Sequence, residues 1–155
     1  MDSYRAKEKI ESVLREHADM IYRIAYQNTR SRADADDIFQ EVCLCLVTKN
    51  APLDDENHLK NWLIRVTLNQ CKNLHKSAWH SRTEGLSDNI LYEQEDIHLL
   101  DEVRKLPPNH RNAVYLYYYE GYSIAEIAEL MGTKPNTVSS WLMRGRKKLK
   151  QFLSE

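Results

Sequence analysis

The chain is poor in what strand-rich, secreted or membrane-embedded proteins need. It has four glycines and four prolines in 155 residues and no sustained alternation of apolar and polar positions. That excludes the closely spaced turns of a β-sandwich or barrel. Cysteines number three, and Cys43-Leu44-Cys45 falls in a helical stretch without a C-x-x-C pair or a spaced histidine. Neither a disulfide framework nor a zinc ribbon fits, and the thiols read as reduced, in a cytoplasmic protein. The opening Met1-Asp2-Ser3-Tyr4-Arg5 lacks the apolar core of a signal peptide, and no apolar run approaches membrane-spanning length. P-loop, H-E-x-x-H and nucleophile–base patterns are missing, so no catalytic group, cofactor, metal or small-molecule substrate is expected.

What is there is charge sorted by sign. A net charge of -1 conceals three single-sign segments. From Asn57 to Thr83 there is no acid, while Lys60, Arg65, Lys72, Lys76 and Arg82 occur. From Thr83 to Val103 there is no Lys or Arg, while Glu84, Asp88, Glu93, Glu95, Asp96, Asp101 and Glu102 occur. From Met131 to Ser154 there is again no acid, while Lys134, Arg144, Arg146, Lys147, Lys148 and Lys150 occur. Basic, acidic, basic predicts two nucleic-acid surfaces joined by an acidic connector. Ser, Gly, Asp and Asn interrupt the periodicity near Ser81–Glu95. The hydrophobic share of 42% suffices for cores on either side. The expectation is an all-α chain: a helical domain over 1–80, an acidic linker over 81–96, and a helix-turn-helix domain over 97–155.

In the first domain, Ile10, Val13, Leu14, Met20, Ile21, Ile24 and Ala25 recur at helical spacing between about Tyr4 and Asn28. Ser31 offers an N-cap to a helix from about Arg32 to Lys49. There Ala35, Ile38, Phe39, Val42 and Leu46 form a core stripe, and Asp37, Gln40, Glu41 and Leu44 the opposite arc. Taken alone, this arc is either a docking face or a solvated acidic surface with one stray leucine. A third helix, about His58–Lys76, points Leu59, Leu63, Val66 and Gln70 inward, with Trp62 and Leu74 at the margins. Asn61, Arg65, Asn69, Lys72 and Lys76 gather in one arc on the other side. Asparagines among cations suit phosphates and base edges, whereas a merely soluble face mixes both signs. Trp62 and Trp79 could stack on unpaired bases, but a Trp beside a core stripe more often packs, and each reads as structural.

In the second domain, a short helix around Ile97–Lys105 ends at Leu106-Pro107-Pro108. Asn109–Glu120 then buries Ala113, Val114 and Leu116 among Tyr115, Tyr117, Tyr118 and Tyr119, closing at Gly121. Ser123-Ile124-Ala125-Glu126 is a capping box opening Ile124–Met131, which turns Ile127, Ala128 and Leu130 inward and stops at Gly132. Pro135 lies in the first turn of the last helix. Helix, tight Gly turn and helix form the supersecondary unit of DNA binders. On the last helix Val138, Leu142, Gly145 and Leu149 face inward, and Asn136, Ser139, Ser140, Met143, Arg144, Lys147 and Lys150 outward. Asn136, Thr137, Ser139 and Ser140 stand near its start, where base edges are met; Arg144, Lys147 and Lys148 suit phosphates.

With both halves in view the chain resembles the sigma-70 family of RNA polymerase sigma factors, in the short extracytoplasmic-function form that has only the second and fourth conserved regions. Arg32-Ala33-Asp34-Ala35-Asp36-Asp37-Ile38-Phe39-Gln40-Glu41-Val42 is similar to the family's D-A-E-D-L-x-Q-E-V motif. The resemblance implies that Asp34, Asp37, Gln40, Glu41 and Leu44 dock on the coiled coil of the largest polymerase subunit. It implies that Asn61, Arg65, Asn69, Lys72 and Lys76 read and open the −10 element, with the loop Lys49–Asn57 capturing a flipped base. Leu106-Pro107 and Glu120-Gly121-Tyr122-Ser123-Ile124-Ala125-Glu126-Ile127-Ala128 resemble the fourth region, whose −35 helix would be Asn136–Lys148 and whose polymerase partner is the flap. An anti-sigma factor that covers these faces is implied by the same analogy. The acidic linker resembles the segment that threads the polymerase RNA channel. Several positions depart from the pattern: Lys134-Pro135 replaces a small polar cap and an acid, Ser139 a frequent Lys, Trp141 an Arg and Met143 a His.

Two other readings compete. A stand-alone helix-turn-helix regulator binding duplex DNA as a dimer would leave the acidic helix and the first basic arc unused. A helical enzyme or metalloprotein using Cys71, His75 or His80 has Cys71 and His75 one turn apart, but no acid nearby to complete a site.

Overall fold

The computed structural model describes residues 3–29, 31–76 and 102–153. The chain divides into two compact units, residues 1–90 and 91–155. All regular structure among the described residues is helical. The proposed linker, 81–96, lies outside them.

In the first unit, α1 (Ser3–Gln27), α2 (Arg32–Thr48) and α3 (Glu56–Lys76) pack pairwise against one another. The predicted stripe of α1 is largely buried, with Val13, Met20, Ile21, Ile24 and Ala25 at the centre and Ile10 and Leu14 half-exposed. Burial extends through Tyr26 to Thr29 into the turn before α2. Asn28 is tolerated there because its side-chain amide donates to the Ile24 carbonyl at 2.8 Å. Ser31 caps α2 as its sequence position predicts: its hydroxyl accepts from the Asp34 amide at 3.2 Å. Tyr22 and Phe39 stack with centroids 4.5 Å apart, tying α1 to α2. Burial, then the neighbouring Asp36 carboxylate, pushes the Tyr22 phenol up to about 12.

α3 begins two residues earlier than the periodicity indicates, because Asp55 accepts the His58 amide at 3.1 Å and acts as the cap. Its inward face is also rotated from the expected one. Leu59, Leu63, Ile64, Thr67, Leu68 and Cys71 are buried, while Val66 and Gln70 are only half-buried. Thr67 is polar yet fully buried. Its hydroxyl donates to the Leu63 carbonyl at 2.7 Å, so the side chain enters the core already satisfied.

In the second unit, Glu102–Arg104 form a helical turn that closes at Leu106. Pro107 and Pro108 start α4 (Pro108–Val114). Arg111, buried on α4, donates to the carbonyls of Arg104 at 3.2 Å and Leu106 at 2.9 Å, clamping the preceding turn. Where one helix through Glu120 was expected, α4 passes at Tyr115 into a π-helical turn, Tyr115–Tyr119. The turn is closed by the Glu120 amide on the Tyr115 carbonyl and the Tyr122 amide on the Leu116 carbonyl, with Gly121 at φ 80°. The wider turn holds Tyr115 and Leu116 in the core and leaves Tyr118 and Tyr119 exposed, which corrects the expectation that all four tyrosines surround the buried residues.

α5 (Ile124–Met131) opens on the predicted capping box. The Ser123 hydroxyl accepts the Glu126 amide at 3.2 Å, and the Glu126 carboxylate accepts the Ser123 amide at 2.8 Å. It ends at Gly132, left-handed with φ 67°, where the Thr133 amide reaches back to the Ala128 carbonyl. The last helix, α6 (Pro135–Leu153), buries Val138, Leu142 and Gly145 against α4 and α5, with Leu149 half-buried.

Candidate DNA and polymerase interfaces

The seating of α6 decides what it presents. Gly145 lies so close to α4 that a Cβ there would stand 2.7 Å from Val114 Cγ2. With Val138 and Leu142 inward, the opposite arc faces solvent: Asn136, Ser139, Met143, Arg144, Lys147 and Lys148 are exposed, and Thr137 and Ser140 half-exposed. Hydrogen-bonding groups thus cluster in the first two turns and cations in the next two, the division a recognition helix needs between base edges and phosphates. Trp141, at the margin of the buried stripe, is half-buried. Arg146, one of the cations of the acid-free segment, was not assigned to either face from sequence. Its guanidinium donates to the Tyr118 hydroxyl at 2.7 Å, and the π turn brings that tyrosine to the surface. No sequence periodicity signals the pair, since an α-helical continuation would place Tyr118 differently. His110 sits beneath the cationic end of α6. Burial, then the charges of Arg144 and Lys148, holds its imidazole below the usual 6.5.

On α3, Arg65, Asn69 and Lys72 are exposed along one arc, as predicted, and Asn61 is half-buried at its edge. Lys76 is the last residue of the helix, and its side chain lies outside the described residues. At 100° per residue the five span about 80° of the helix surface, away from the buried Leu63, Thr67 and Cys71. Cys71 is therefore a core thiol rather than a nucleophile or ligand at a surface site; His75's side chain and His80 lie outside the described residues. Among the described residues no three His, Cys, Asp or Glu side chains gather as metal ligands would, and no helix is long and apolar enough to cross a membrane.

On α2, Asp37, Gln40 and Glu41 are exposed and border, on its N-terminal side, Leu44, which is 53% exposed. Val47, 62% exposed and not foreseen, extends the same apolar centre by one turn. Asp34 departs from this face: it is only 7% exposed. It lies within about 40° of Ile38 around the helix, at the edge of the core stripe. There its carboxylate sits in the first turn, where the helix dipole favours a negative charge.

The family model for sigma-70 region 2 matches residues 13–81, and that for sigma-70 region 4 matches residues 98–149. The chain is 29% identical to the extracytoplasmic-function RNA polymerase sigma factor SigE of Mycolicibacterium smegmatis, over 94% of this chain and 62% of that protein. It is 26% identical to the RNA polymerase sigma factor CarQ of Myxococcus xanthus, over 100% of this chain and 96% of that one. Its fold is similar to CnrH in complex with the cytosolic domain of CnrY, with a TM-score of 0.67 at 20% identity over 94% of this chain and 87% of that one. It is also similar to RpoE in complex with the anti-sigma factor NepR from Bartonella quintana, with a TM-score of 0.74 at 17% identity over 93% and 96% of the two chains. With region 2 matched on α1–α3 and region 4 on α4–α6, the chain belongs to the sigma-70 family, as an RNA polymerase sigma factor of the extracytoplasmic-function type.

Proposed function

We propose that this sigma factor directs promoter-specific initiation through three faces of opposite chemistry. The α2 face of Asp37, Gln40, Glu41, Leu44 and Val47 docks on core RNA polymerase, at the coiled coil of its largest subunit. An apolar patch bordered by two carboxylates suits a basic partner surface with an apolar cleft. The α6 face binds the −35 element as duplex: Asn136, Thr137, Ser139 and Ser140 toward base edges, Arg144, Lys147 and Lys148 toward phosphates. The α3 face of Asn61, Arg65, Asn69, Lys72 and Lys76 holds the −10 element. Because it binds the separated strand better than duplex, it shifts the melting equilibrium toward the open state. None of these steps needs a nucleophile or a metal. An anti-sigma factor that covers the same faces is the proposed regulator, by analogy with RpoE bound to NepR.

The observation that carries this reading is the coexistence of two acid-free cationic arcs, on α3 and α6, with an acidic and apolar arc on α2. A stand-alone regulator uses only the first kind. The test is transcription in vitro by bacterial core polymerase, with and without this protein, on fragments of its own genome. New discrete start sites are expected, and they should vanish when Asp37 and Glu41 are both replaced by Lys. Absence of transcripts, together with tight palindromic duplex binding by the protein alone, would overturn the assignment in favour of the regulator.

A further inference from the structure

The centre of the α6 DNA face is occupied by a residue of the wrong polarity. Met143 is 60% exposed, although Val138, Leu142 and Gly145 on the opposite side of the same helix are buried. Methionine ordinarily fills gaps in cores, where its flexible thioether finds contacts on all sides. Here it projects between Ser139 and Ser140, one turn before it, and Arg146 and Lys147, one turn after. Asn136, Ser139, Ser140 and Met143 stand at i, i+3, i+4 and i+7. They form one line about 10.5 Å long, which fits within a major groove about 12 Å wide. Every other side chain on that line offers hydrogen bonds, and Met143 offers none of consequence.

An apolar side chain brought into the major groove meets one apolar group on the base edges, the C5 methyl of thymine. We infer that Met143 is a specificity-determining residue of this chain: it selects thymine at one position of the −35 element by covering that methyl group. Asn136, Ser139 and Ser140 read the neighbouring edges by hydrogen bonds, and Arg144 and Lys147 fix the register on the phosphates. Arg146, held by Tyr118 at 2.7 Å, lies on the flank of the line and leaves its centre to the thioether. The assignment rests on α6 being the −35 helix.

The experiment uses holoenzyme formed from core polymerase and the full chain. A pool of promoters randomised over the −35 element is selected by binding. Each thymine of the enriched element is then replaced in turn by deoxyuridine, which removes only the methyl group. One position is expected to lose about fourfold in affinity, the effect of withdrawing one methyl-sized apolar group from contact. Met143→Gln should abolish that loss and Met143→Leu should keep it, while sensitivity elsewhere in the element stays unchanged in both. Because the side chain is exposed, both variants should unfold at the native temperature. A holoenzyme that enriches no element would sink the assignment of α6 as the −35 helix. An enriched element without a methyl-sensitive thymine, or methyl sensitivity that survives in Met143→Gln, would overturn only the role of Met143 and leave its exposure to a protein partner.

Discussion

Replacing Gly145 by alanine sets two opposed effects against each other, and the geometry decides between them. In an exposed helix the change would stabilise by about 1 kcal/mol, through lost backbone freedom in the unfolded chain. In this helix the new Cβ would stand 2.7 Å from Val114 Cγ2, and 3.7 Å from both the His110 carbonyl and Leu106 Cδ1. Relief to an ordinary carbon–carbon separation requires a displacement of about 1 Å. Val114 is buried and β-branched within α4, so it has essentially one rotamer and cannot swing away. The helices must part instead, and overpacking of this kind costs about 1–3 kcal/mol. Set against the propensity gain, the net loss is about 0–2 kcal/mol. For a domain this small that lowers the unfolding midpoint by up to roughly 15 °C. The assay is thermal and urea unfolding followed by Trp141 fluorescence, with Trp62 and Trp79 replaced by phenylalanine. Adding Val114→Ala should restore part of the loss, so the pair couples by about 0.5–3 kcal/mol. Stabilisation by the full propensity gain, with no coupling to Val114, would refute the close approach and with it the account of how α6 is seated.

Other consequences are simpler to state. Ser123→Ala removes one arm of the capping box on α5 and should cost about 1 kcal/mol in the same unfolding assay, with α1–α3 unaffected. His110 has its basicity lowered by burial and by Arg144 and Lys148, so the folded domain binds a proton less readily than the unfolded chain. Its contribution to stability is therefore complete above 6.5 and is lost as pH falls toward the depressed value. His110→Gln should flatten that acid limb in a pH series of urea midpoints. Lys147→Gln should weaken every −35 sequence about equally and reduce the slope of log affinity against log salt by about 0.9, as loss of one phosphate contact does. A change in preferred sequence would instead mean that Lys147 reads a base.

What could be read from the chain alone follows the physics of local signals. Caps and breaks are written in two or three adjacent residues, so Ser31, the Ser123–Glu126 box and Gly132 mark real helix ends. The face of a helix is harder to read, because it depends on what a polar side chain can bond at close range. Thr67 reads as polar and is buried, since its hydroxyl is satisfied within its own helix. Asp34 joins the docking residues only through the family resemblance and is buried, since the core stripe of α2 reaches further round than its apolar residues indicate. The π turn has no local signature at all. It exists because Tyr115 and Leu116 both pack inward while the chain must reach the left-handed Gly121, and only the assembled domain imposes both demands. That turn is also what places Tyr118 beside Arg146, so the missed contact and the missed turn share one cause.

Charge segregation on a nearly neutral chain has a consequence for specificity. At a net charge of -1 the molecule as a whole is not drawn to DNA, and on the proposed reading attraction comes from the acid-free arcs on α3 and α6. At physiological salt such attraction fades beyond about 8 Å, so a cation contributes only when its own helix is already in place. Each arc alone carries a handful of phosphate contacts, enough for weak and strongly salt-dependent binding. Tight binding then requires both arcs to engage one DNA molecule together. The second engagement gains from the effective concentration that the first creates, provided their separation is held to match the two promoter elements. In the docking proposed above, polymerase supplies that constraint by taking the α2 face. A uniformly basic chain would bind DNA without it, so on the proposed reading near neutrality would make promoter binding conditional on polymerase.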